Sequence, residues 1–324
     1  MKYKISKKIK YLLVIYILLL QIFIFDYPKK IISRLIFSHD LSLLQHSVFK
    51  KINEKTEFDM RDQKNNKQSL IILNNYVNNF FKYTIEDLDD NVSWKMLHGS
   101  ILCDGVTDIF LRLAEATNTN VAMVFLYDDN GSSPHTLAFA DLKNRNPLWE
   151  DENLGFTYIF DPQANIYPIN SNNQLININY MIDNKHEFKN IMRLHSDEKI
   201  LNLLINQKKV FQRNRIENDY SFITKFSFNL IQIIPEYFMK KIYKFGIIIN
   251  PDIDKQYKKL LIARLELILL NYEMAKLELQ NIVNKKTRYR ETARYWYDLL
   301  NNNKLQLNID QEKIILEFSN INFK

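Results

Sequence analysis

The sequence predicts an α+β fold: a helix starting at Cys103 against a small antiparallel sheet, with an N-terminal transmembrane helix before it and a helical region after it. Three observations predict it. Leu102, Val106, Ile109, Phe110 and Leu113 recur at intervals of three and four, the spacing of one helix face. Val121–Tyr127, His135–Leu142 and Phe156–Phe160 are short runs of strand formers separated by turn residues. Glycine and proline are scarce, at 5 and 7, so helix should exceed sheet.

At the N-terminus, Lys2, Lys4, Lys7, Lys8 and Lys10 precede Tyr11–Phe25, an apolar run without charge. At ~1.5 Å per residue it reaches about 22 Å, short of a hydrocarbon core of roughly 30 Å. No small-residue cleavage site follows, which favours an uncleaved anchor over a signal peptide. The lysine excess ahead of it predicts a single-pass protein with a cytoplasmic N-terminus and the body outside. A helix buried in a soluble fold is the competing reading. Residues 1–37 are assigned to this anchor and its flank.

Residues 38–65 are mixed and polar and read as a juxtamembrane stalk, with His39 and His46 on solvated surface. Ser69–Tyr83 carries Leu70, Leu73, Val77, Phe80 and Phe81 on one side, an amphipathic helix expected beneath the Cys103 helix. Trp94 is either a donor to a developing oxyanion or a core residue. His98, Cys103, Asp104 and Asp108 match no common metal-ligand spacing.

Residues 99–166 hold the candidate chemistry. Cys103, the only cysteine, follows Gly99-Ser-Ile-Leu and begins a helix, with Ser100 the expected N-cap. The helix dipole favours a thiolate at that end. After the strand Val121–Tyr127 and the turn Asp128–Gly131, His135 opens a second strand. Asp161, followed by Pro162, closes a third. If these two strands are antiparallel neighbours, His135 and Asp161 share an edge. Parity groups His135 with Leu137 and Phe139, and Asp161 with Ile159, facing the Cys103 helix. A thiol needs a base, and the imidazole needs a carboxylate to fix its tautomer. The opposing reading of Cys103 is a small buried hydrophobe.

A cysteine at a helix start, the stretch Leu113-Ala-Glu-Ala-Thr-Asn-Thr-Asn-Val-Ala-Met-Val, His135 opening a strand, and Phe160-Asp161-Pro162 closing another resemble the transglutaminase-like superfamily. The resemblance spans residues 66–170, about a third of the chain. It implies a papain-like core and a Cys103, His135, Asp161 triad performing acyl transfer to an amine or to water. Two departures stand out: Thr136 and Leu137 follow the histidine where an aromatic residue is common, and Asp161-Pro162-Gln163 replaces Asp-Pro-Thr.

Beyond Asp161, Asn165–Asn184 reads as loop with a short strand, and Asp197–Arg215 as helix. Phe222–Phe245 pairs an apolar face with Lys240, Lys241 and Lys244. This basic amphipathic stretch suits either an anionic membrane surface or core packing with a solvated lysine side. Residues 171–250 are assigned to a helical extension and 251–324 to a helical hairpin. Ala263, Tyr272, Ala275 and the following helix Tyr289-Arg-Glu-Thr-Ala-Arg-Tyr-Trp-Tyr resemble tetratricopeptide-type repeats, which implies a partner surface; a generic helical hairpin is the alternative.

Charge and composition narrow the function. The net charge of +7 sits largely beside the apolar N-terminal run, and no nucleic-acid motif or phosphate-binding glycine loop is present. A lone cysteine excludes an internal disulfide and a cysteine-rich zinc site. The sequence therefore points to a membrane-anchored cysteine enzyme that hydrolyses or transfers amide acyl groups on a protein or peptide, without cofactor or metal. A non-catalytic scaffold binding a partner through its C-terminal helices in a cell-envelope complex is the alternative.

Overall fold

The computed structural model describes residues 25–38, 41–56, 59–83, 91–126, 135–142, 157–165, 175–183, 211–214 and 222–302, together with Tyr11, Val14, Tyr16, Tyr167 and Leu305. Among the described residues the chain forms eleven α-helices and a small antiparallel sheet. The α+β class, with a papain-like core, is thereby corrected to a mostly helical one. The strands are short, whereas helical periodicity extends over nearly all of the remaining described chain.

The N-terminal elements pack inward. Helix α1 (Asp26–Ile36) presents Tyr27, Ile31 and Leu35 outward and buries Ser33 and Ile36. Helix α2 (Leu43–Thr56) buries Leu44, Val48, Phe49 and Ile52, so the expected stalk is part of the core. His46, expected on the surface, is buried edge-on against Phe228. His39 lies outside the described residues.

Most of Tyr11–Phe25 also lies outside the described residues. Among the described residues, no helix is long and apolar enough to cross a membrane. The expected transmembrane helix, and with it the single-pass localisation, is therefore not supported.

Helix α3 (Asn66–Phe80) starts three residues before the predicted helix and packs against the helix that begins at Cys103. Strand β1 (Lys82–Tyr83) pairs in parallel with β2 (Ser100–Ile101), which follows helix α4 (Val92–His98). Gly99 ends α4 at φ +71°, a left-handed turn that glycine adopts without a Cβ penalty. Helix α5 (Cys103–Glu115) begins at Cys103 itself. Its N-cap is Leu102, without a side-chain cap, and Ser100 instead belongs to β2.

The sheet is ordered β5 (Thr157–Phe160), β4 (His135–Asp141), β3 (Asn120–Leu126), β6 (Phe211–Asn214), all antiparallel. The Asp128–Gly131 turn lies outside the described residues. Helix α6 (Ile178–Asp183) falls where loop and strand were expected, and β6 falls within the predicted 197–215 helix.

The C-terminal region is helical as expected. It comprises α7 (Phe222–Ile233), α8 (Glu236–Ile249), α9 (Lys255–Ile268), α10 (Tyr272–Val283) and α11 (Arg290–Asn301), with Pro235 separating α7 from α8. Ala263, Ala275 and Ala293 are fully buried, letting α9, α10 and α11 pack closely in succession. Lys240 and Lys244 turn inward to the buried carboxylate of Glu266, at 3.2 and 2.6 Å. These two lysines of the basic stretch therefore neutralise an internal charge.

Candidate active site

Three elements deliver three side chains to one place. Cys103 occupies the first position of α5 and is partly buried. His135 is the first residue of β4, opposite Leu126, and is buried. Asp161 follows the last residue of β5, also buried. Since Ala138 opposes Phe160, the antiparallel register carries Asp161 to the level of Leu137, one pleat from His135 on the same side.

His135 Nε2 lies 2.6 Å from Asp161 Oδ2. The imidazole and the Cys103 thiol also act on each other, each shifting the other's pKa, and with Nε2 engaged by Asp161 the nitrogen left to serve the sulfur is Nδ1. Asp161 is itself fixed, because its Oδ1 accepts the backbone N–H groups of Gln163 and Ala164, each at 3.1 Å. Helix α3 holds that turn: Asn78 Nδ2 donates to the Gln163 carbonyl at 2.6 Å, and Asn74 Nδ2 to Asn165 Oδ1 at 3.0 Å. All three predicted residues thus converge.

The expected facing of the strands does not hold. Phe110 of α5 packs on Phe160 with ring centroids 5.4 Å apart, and Thr107 Oγ1 donates to the Thr136 carbonyl at 3.4 Å. The parity that carries Phe160 and Thr136, not that of Leu137, Phe139 and Ile159, meets the helix. His135 reaches the thiol as the terminal residue of its strand, at the sheet's end and not from the face that meets the helix.

The electrostatics follow from these contacts. Burial pushes the Cys103 thiol up, but hydrogen bonds from His135 and Thr136 and the imidazolium charge outweigh it, and the thiol is held below its usual range despite Asp104. For His135, burial disfavours the cation. Hydrogen bonds and charge from Asp161 and Cys103 outweigh that, and its pKa is raised to about 10. Both shifts favour a thiolate beside an imidazolium.

Sequence reasoning missed two contributors. Thr136 places Oγ1 3.7 Å from the sulfur, at a position read only as a departure from a pattern. The turn after Asp161 was read as a strand stop. An aspartate followed by Pro-Gln-Ala is also an Asx-turn signal, and that would have found the backbone donors. Trp94 packs on Phe37 at a centroid distance of 4.6 Å, as the core reading had it. His98 Nδ1 bonds the Tyr257 hydroxyl. No group of residues able to hold a metal ion occurs among the described residues.

No protein-family model, curated protein or solved structure matches this chain.

Proposed function

We propose that this chain is a cysteine-dependent acyl-transfer enzyme acting on an amide of a protein or peptide, with Cys103 as nucleophile, His135 as general base and acid, and Asp161 as the residue orienting His135. The single observation that carries the reading is His135 lying between thiol and carboxylate. Membership of the transglutaminase-like superfamily is part of the proposal, supported by the order of these residues along the chain.

In the forward step the Cys103 thiolate adds to the amide carbonyl carbon. The C–N bond breaks as the His135 imidazolium gives its proton to the leaving nitrogen, and a thioester remains. Water or an amine then attacks the thioester while neutral His135 takes its proton. The acyl group departs as acid or new amide, and the sulfur leaves as thiolate beside imidazolium. Asp161 keeps the ring's tautomer fixed.

Two measurements test this. Because Cys103 is the only cysteine, its alkylation by iodoacetamide can be followed against pH without interference. The expected profile retains reactivity below the range of an ordinary thiol, and His135→Ala abolishes that limb. Amide cleavage of a peptide library, read as released amine, should vanish in Cys103→Ala. Retained cleavage in that variant would reject the role.

A second reading, a scaffold that binds a protein partner, draws on the exposed Met274 and Leu277 of α10. An ordinary alkylation profile together with a stably co-purifying partner would favour it.

A further inference from the structure

Arg264 in α9 is completely buried, and among the described residues no carboxylate pairs with it. Burial lowers its pKa to about 10. A buried cation without a counter-charge is costly, and an apolar side chain of the same length would fill the space at lower cost. Its geometry gives it another task.

The guanidinium serves two helix ends. Nη2 donates to the carbonyl of Phe80, the last residue of α3, at 2.7 Å, and reaches that of Met96 in the final turn of α4 at 3.5 Å. Such terminal carbonyls have no partner within their own helix and carry the negative end of its dipole. One face of the guanidinium lies 4.0 Å from the ring centroid of the buried Trp296 in α11. It also fills the space a side chain would need at Gly99, where a Cβ would stand 2.2 Å from Nη2.

These contacts lead directly to the nucleophile. The end of α3 feeds β1, and Gly99 feeds β2; Lys82 N–H donates to the Gly99 carbonyl at 2.8 Å, and β2 then leads through Leu102 to Cys103. We propose that Arg264, stacked on Trp296, is a positioning residue that sets the backbone entering Cys103, so that the C-terminal helices help align the thiol with His135. This rests on the reading of Cys103 as nucleophile.

The test uses the full chain with Arg264→Met and Arg264→Lys, following iodoacetamide alkylation of Cys103 against pH beside urea unfolding. In Arg264→Met the midpoint should move toward that of an ordinary thiol and the rate at pH 7 should fall about tenfold, with cooperative unfolding retained. A role confined to stability would lower the urea midpoint and leave the alkylation midpoint where it was, which overturns the proposal. Should the methionine variant not fold, Arg264→Lys carries the same test. It keeps the charge but loses the planar stack and the fork, and it is expected to show the same displacement. A wild-type chain whose thiol is already ordinary would refute the nucleophile reading itself, an outcome distinct from a normal wild type with an unshifted variant.

Discussion

Nε2 of His135 and Oδ2 of Asp161 stand 2.6 Å apart, both buried, while the other carboxylate oxygen is tied to two backbone N–H groups. That asymmetry predicts the outcome of Asp161→Asn. The amide oxygen would stay with the backbone donors, leaving its NH2 to face His135. Nε2 must then accept, which puts the ring proton on Nδ1, facing the thiol, where no proton can be received. Alkylation at pH 7 should fall roughly 10²- to 10⁴-fold. A wild-type rate in this variant would show that Asp161 does not set the tautomer.

His135 and Asp161 were legible because each stands at a strand boundary, one after a turn and one before a proline. Their facing was not. Every residue of β4 is buried, including both Phe139 and Ala138, so the sheet is covered on both sides and alternation carries no information about which side meets the helix. His46 and the lysine side of the basic stretch read as solvated for a related reason. Their contacts, Phe228 for the histidine and Glu266 for Lys240 and Lys244, lie on other helices, and no local spacing announces them.

The thiol and the imidazole pull stability in opposite directions as pH changes. His135, raised from 6.5 to about 10, contributes stability that is full below 6.5 and lost as pH rises through about 10. Cys103, lowered from 9.0, contributes stability that is full above 9.0 and lost as pH falls through its depressed value. In the wild type the two oppose each other. In Cys103→Ser the thiol's share is gone, while Asp161 still raises the imidazole. The melting temperature of Cys103→Ser should therefore fall, relative to Cys103→Ser/His135→Gln, as pH rises above 6.5. Parallel curves would show that the imidazolium is not stabilised by the fold.

Glu266 is fully buried, and its two lysines come from successive turns of α8. Replacing Lys240 and Lys244 together by methionine strands the carboxylate, which should cost about 3–5 kcal/mol in urea unfolding. Either single replacement should cost less, since one cation remains. A double variant within about 1 kcal/mol of wild type would mean that water reaches Glu266.

Gly246 brings α8 against the end of α1. A Cβ there would stand 2.9 Å from Phe37 Cε2 and 3.1 Å from Ile36 Cδ1. On an exposed helix face Gly→Ala stabilises by up to about 1 kcal/mol, so the sign depends on whether the neighbours can retreat. Phe37 cannot retreat freely, because its ring is held between Trp94 and Tyr243 at centroid distances of 4.6 and 6.0 Å. Gly246→Ala should therefore destabilise, by about 1–3 kcal/mol of overpacking offset in part by helix propensity. A higher urea midpoint in Gly246→Ala would show that α1 can move off α8 at little cost, and that the close approach at Gly246 is not needed to seat α1.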